Sequence, residues 1–256
     1  MRELALFYSI LLVSLAGALK LRFAYAFLGM EIPLAQFGAA ALIACSAYAL
    51  DRGMENKEDE RHRRAVRKLL IAGALACIIG SFILFPNPAL IIPLGLAYLY
   101  TRGIGGHRLK GGFGIKNGVV ALTWSLGLVI FMHVFTISSI LLYLFFFFKS
   151  FVNTVIYDVR DIDRDRIAGI LTLPALFSPG RLRLLLVGVN VATHGSLLWA
   201  FFAGWFQCGD VLALSAIHST AYICAFCRRH QPFRDTLVDG EWVLYEGYTI
   251  LRAFLL

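Results

Sequence analysis

The chain has 256 residues, 59% of them hydrophobic and only 16% charged, against about 25% charged in a soluble domain. With a mean hydropathy of +0.73, so much apolar surface cannot be hidden in one water-soluble core. A soluble protein is excluded, and an all-α integral membrane protein is expected. The net charge of +8 would suit nucleic acid, but its distribution along the chain assigns it to membrane topology instead.

The N-terminal stretch "MRELALFYSILLVSLAGAL" has the charge, apolar run and small residues of a signal peptide. Its apolar character continues to Leu28 and many more apolar runs follow, so it reads as a first transmembrane helix. Taking roughly 20 residues per crossing, fewer in a polytopic bundle, nine spans are predicted: 3–19, 32–50, 69–85, 88–101, 117–134, 136–157, 181–204, 209–227 and 241–256. The fourth is short, and the ninth carries Glu246 and Arg252. "PNP" at 86–88 is a turn between the third and fourth spans. Together they make a single polytopic domain over 1–256.

The basic residues are one-sided. Nineteen of the 24 fall in segments 51–68, 101–116, 160–183 and 228–234, all after even-numbered spans. The opposite connections hold almost none, Lys20 and Arg22 being the exceptions. Positive charge stays in the cytoplasm, so the N-terminus and the charged loops are expected there and the C-terminus on the other side. Lys149 interrupts the sixth span two turns before Asp158. It is expected either to face a cavity or partner, or to snorkel to the cytoplasmic interface. His133 and His194 lie in or near apolar spans and read as core histidines with satisfied hydrogen bonds. Cys224 and Cys227 form a CxxC within a span, with no second pair to complete a zinc site, so the five cysteines read as small buried residues.

Topology explains the arginines but not the aspartates. Asp158, Asp161 and Asp165 follow the sixth span at spacings of three and four, within an arc of roughly 60° on a helix, while Asp163 lies off it. Three like charges on one face are unfavourable unless something positive sits between them. Either the arginines of the same run pair with them, or they hold magnesium, which takes one or two carboxylates together with substrate phosphates. A second acidic cluster follows the second span: Asp51, Glu55 and Glu58 share a face, with Asp59 at its edge. Two such clusters four spans apart on one side form an internal repeat. Arg108, Lys110 and Lys116, in the loop after the fourth span, are the candidate cations for a diphosphate. The glycines of "GGFG" lack a phosphate-loop pattern and read as flexibility.

The run "YDVRDIDRDRIAGILTLP" resembles the second aspartate-rich motif of the UbiA superfamily of intramembrane prenyltransferases, roughly YDxxDxxxDxxxGxxTLP. Tyr157, Asp158, Asp161, Asp165, Gly169, Thr172, Leu173 and Pro174 fit it. "GIKNGVVALTW" is similar to the family's loop between helices four and five. The first motif departs: against NDxxDxxxD, Ala47 and Tyr48 stand where the Asn and first Asp belong, while Asp51 and Glu55 match the later positions.

The resemblance implies a nine-helix bundle with cytoplasmic acidic motifs after helices two and six. It implies Mg²⁺-dependent transfer of a prenyl group from a prenyl diphosphate to a lipophilic, often aromatic, acceptor in the membrane. Asp158, Asp161 and Asp165 would hold one metal ion; Asp51 and Glu55, with Asp59, the other. Lys116, Arg108 and Lys110 would meet the diphosphate. The altered first motif leaves a second reading, a non-enzymatic relative acting as a transporter or partner-binding subunit. The DGxxAR opening of CDP-alcohol phosphotransferases is absent.

Overall fold

The computed structural model describes residues 2–54, 64–101, 114–167, 169–226 and 234–255. Among them the secondary structure is all helical: α1 (Arg2–Phe27), α2 (Leu34–Gly53), α3 (Arg64–Leu84), a 3₁₀ turn (Pro88–Leu90) leading into α4 (Ile91–Thr101), α5 (Ile115–Met132), α6 (Ile137–Ile167), α7 (Leu173–Leu176), α8 (Pro179–Phe202), α9 (Gly209–Phe226), α10 (Arg234–Val238) and α11 (Glu241–Leu255). Seven are long and apolar enough to cross a membrane: α1, α2, α3, α5, α6, α8 and α9. The expected fourth and ninth spans are the shorter helices α4 and α11.

The connections obey local rules. Asn87 of the predicted turn accepts from the Ala89 amide at 2.9 Å and so caps the 3₁₀ turn. α6 begins with a reciprocal cap: the Thr136 amide donates to Ser139 Oγ at 2.8 Å, and the Ser139 amide returns to Thr136 Oγ1 at 3.1 Å. His133, expected in the core, is instead exposed. It ends α5 in the left-handed region, φ 50°, with its amide on Val129 O. His194 meets the core expectation: its ring lies between Asn190 O at 2.9 Å and Ser215 Oγ at 3.0 Å.

The helices pack as a closed ring, α1–α2–α4–α5–α6–α8–α9–α11 and back to α1, with α3 against the outside of α2. Phe23, Phe27, Phe145, Phe146, Trp242 and Tyr245 are among the largest fully buried side chains, and Phe146 stacks on Trp242 with centroids 5.2 Å apart. Leu11, Ile79, Ile83, Leu184, Ile217 and Phe254 are exposed on the outside, as lipid-facing positions are in a bundle whose exterior is hydrocarbon.

Charges expected in a loop lie on a helix. α1 runs on to Phe27, so Lys20 and Arg22 belong to it rather than to the connection after a helix ending near residue 19. Arg22 pairs with Glu246, and Arg252 pairs with Asp210, so both charges of the ninth span have partners. Lys149 is buried and pairs with Glu241 at 3.0 Å. Of the two sequence expectations for it, the partner holds and the snorkel does not.

Candidate active site

α6 is 31 residues long. Its apolar part fills the bundle, and its last turns carry the aspartates. The helix ends by a Schellman arrangement: Gly169, at φ 75°, donates to Arg166 O at 3.1 Å, and Ile170 donates to Asp165 O at 2.8 Å. Thr172 then turns extended and α7 starts with Pro174 in its first turn. The GxxTLP spacing after the aspartates is therefore the device that stops α6 and folds the chain back.

Asp158 and Asp165 are buried, Asp161 is half-buried and Asp163 is exposed, as the helical arc predicts. The positive charge required between the carboxylates is Lys116, from the first turn of α5. Its Nζ lies 2.6 Å from Asp158 Oδ1 and 2.9 Å from Asp165 Oδ2. Asn117 donates to the other Asp158 oxygen at 2.8 Å, and its own buried carbonyl oxygen has no hydrogen-bond partner among the described residues. Arg160 takes Asp161 at 3.0 Å. On the facing side, Thr101 donates to Asp51 at 2.9 Å. Tyr48, in the place of the missing aspartate, accepts from Arg52 at 3.3 Å.

Asp51, Asp158, Asp161, Asp165 and Lys116 all line one cavity of about 610 Å³. Its other end is apolar, lined by Ala40, Ile43, Leu94, Val120, Leu128 and Phe131. Glu55, Asp59, Arg108 and Lys110 lie outside the described residues.

Several lining residues carry no motif signal. Asp235 on α10 and Asp239 just after it, i and i+4, join the same rim. Tyr157 donates to Asp239 at 2.7 Å. Burial raises the Asp239 carboxyl to about 6, against the Tyr157 hydrogen bond and the Lys20 ammonium, with Asp235 and Glu241 pushing the same way as burial. Asn153, Lys20 and Trp124 also line the wall. The one cue in the sequence is the four-residue spacing of the two aspartates in "FRDTLVDGEW".

No three described His, Cys, Asp or Glu side chains cluster closely enough to hold a metal ion together. The donors around the cavity are carboxylate and amide oxygens, the set that suits a hard cation such as Mg²⁺. Lys116 stands where such a cation would balance the Asp158–Asp165 pair, and the unpartnered Asn117 oxygen offers one more ligand beside it. By donor chemistry the residues fit a divalent metal.

No protein-family profile matches the chain, and no curated protein is recognisably similar to it in sequence. Solved structures are similar in fold. A UbiA homologue from Archaeoglobus fulgidus bound to GPP and Mg²⁺ aligns over 98% of this chain and 99% of its own, at 15% identity and a TM-score of 0.64. The same homologue bound to DMAPP and Mg²⁺ gives 15% identity, the same coverage and a TM-score of 0.61. A structure described for digeranylgeranylglyceryl phosphate synthase in membranes aligns over 98% of this chain and 97% of its own, at 12% identity and a TM-score of 0.57. This chain has the UbiA fold. The alignment runs nearly end to end, so the fold likeness takes in the long sixth helix and the short last helix together.

Proposed function

We propose that this UbiA-fold chain is a member of the UbiA superfamily and a membrane prenyltransferase. It would transfer a prenyl group from a prenyl diphosphate to a lipophilic acceptor, aromatic by family resemblance, within the membrane. The observation that carries the reading is the Asp158–Lys116–Asp165 constellation at one end of a cavity whose other end is apolar. Such a site suits a ligand that is a polyanion at one end and a hydrocarbon at the other. The relatives of like fold bound to GPP or DMAPP with Mg²⁺ support it. The charge asymmetry supports a cytoplasmic placement of the acidic ends of α2 and α6 and of the N-terminus, with the C-terminus opposite.

Asp158, Asp161 and Asp165 would hold one metal ion, and Asp51, with Glu55 and Asp59, a second. Bound Mg²⁺ would neutralise the charge that gathers on the departing diphosphate. Lys116 would move from its carboxylates to a diphosphate oxygen, donating a charge-assisted hydrogen bond where negative charge grows. Asn117 holds Asp158 in place, as Thr101 holds Asp51. The apolar far wall, Leu128 and Phe131 among it, would receive the tail and keep water from the allylic cation.

The test is turnover by the purified protein in nanodiscs with Mg²⁺, offered a panel of prenyl diphosphates and membrane-extract acceptors. Diphosphate release with a prenylated product is expected, and its loss in Asp158→Asn and Asp161→Asn. Activity that survives both substitutions would remove the metal assignment. Absence of both turnover and diphosphate binding with every donor would favour the non-enzymatic reading, which Tyr48 in the first motif motivates.

A further inference from the structure

The proposed chemistry gives no task to Lys20, a buried cation. Lys20 is 8% exposed, lines the cavity, and holds its Nζ 3.9 Å from the centroid of the Trp124 ring. Lys116 and Lys149 each have a carboxylate within 3.0 Å. Lys20 forms no hydrogen bond or ion pair with any described residue. The acidic groups that act on it from further away are already engaged: Glu241 by Lys149, and Asp239 by the Tyr157 hydroxyl. A lysine inside a bundle is expensive and marks a ligand or a partner, and an aromatic face offsets only part of that cost.

Its position separates it from the donor's anion. Trp124 lies eight residues beyond Lys116 on α5, about 12 Å along the helix. The ring can lie against α1 because residue 17 is glycine: a Cβ there would come within 3.2 Å of the Trp124 ring and 2.7 Å of Ala44 Cβ. A diphosphate held by Lys116 would sit about two turns of α5 from the level of Trp124 and Lys20, and a prenyl tail has nothing to offer an ammonium. What remains for this wall is the second substrate.

Resting on the prenyl-transfer reading, we infer that Lys20 binds an anionic group of the acceptor, a carboxylate or a phosphate, with Trp124 as the flat surface beside it. The Lys20 ammonium donates to the anion's oxygens. The acceptor's nucleophilic end then points toward the rim where the diphosphate departs. Lys20 is thereby a specificity-determining residue, selecting acids over neutral molecules of the same shape.

Ligand-induced thermal stabilisation of the protein in nanodiscs tests this without needing turnover. The probes are 4-hydroxybenzoate with its neutral isostere 4-hydroxybenzamide, glycerol 1-phosphate with glycerol, and inorganic diphosphate with Mg²⁺. The wild type should respond to one of the two anions at concentrations at least tenfold below its neutral counterpart, and which anion does so separates carboxylate from phosphate. Lys20→Met should abolish that preference, Lys20→Arg should keep it, and both should retain the response to magnesium diphosphate. Equal responses to anion and isostere in the wild type overturn the inference, whatever becomes of the variants. So does a Lys20→Met protein whose preference is intact, or one that loses the diphosphate response in step with the anion. A wild type that answers to magnesium diphosphate but to neither anion loses the inference alone. No response to diphosphate removes the prenyl-transfer reading and the inference with it.

Discussion

At the scale of single residues, the aspartates of α6 differ in what surrounds them. Asp158 is held by Lys116 and Asn117, whereas Asp163 is exposed and outside the cavity lining. Asp158→Asn should cut product formation about 100-fold or more, since it weakens the hold on the metal that would stabilise the departing diphosphate. Asp163→Ala should stay within about twofold. Asp239 gives a pH signature. Its carboxyl, raised to about 6 by burial beside Tyr157, Lys20, Asp235 and Glu241, binds a proton more tightly folded than unfolded. Stability should therefore be fullest below about pH 4 and fall as pH rises through 6, and Asp239→Asn should flatten that slope in melting curves. The α6 aspartates are legible from sequence because their spacing and flanking motif are local. Lys20 is not, because a charge normally ends a span, and only tertiary packing reveals a ring and a cavity beside it.

At the scale of elements, α6, α9 and α11 are joined through one buried polar node. Lys149 pairs with Glu241, Asn153 donates to Glu241 at 3.2 Å, and Tyr222 donates to Asn153 at 2.6 Å. Removing one charge strands the other, so Lys149→Met should cost about 3–5 kcal/mol in denaturation, and adding Glu241→Leu should recover most of it. The stop of α6 makes a smaller prediction. Gly169 sits at φ 75° with open space around its Cβ position, so Gly169→Ala should cost about 1–2 kcal/mol through backbone strain alone. It should also weaken diphosphate binding by loosening Asp165. The long helices are legible from hydropathy and the turn at Asn87 from its residues. α10 is not, because five residues have no period to read, and its aspartates reach the rim only through the fold.

For the whole molecule, the proposed orientation rests on the one-sided basic residues. A lone cysteine at Phe135, in a cysteine-free background, should react with an impermeant maleimide added outside intact cells; one at Arg166 should react only after permeabilisation. The nine-span reading follows from apolar runs, and the shortness of α4 and α11 marks its limit. Helices inside a ring are held by neighbours as well as by lipid, so their length need not match the bilayer.

Lys116 gives the resting protein a counter-ion of its own. A carboxylate pair that needed metal to be neutral would unravel under a chelator, as sites whose binding energy is folding energy do. Here the tether is already satisfied, so EDTA should leave the melting temperature unmoved. On the proposed reading, the same lysine would make the site a poor trap for stray cations: metal alone would have to displace it, whereas a metal arriving with diphosphate would offer it a new anion in exchange. Loading would then be cooperative, and diphosphate should raise the affinity for Mg²⁺ in a titration of the purified protein.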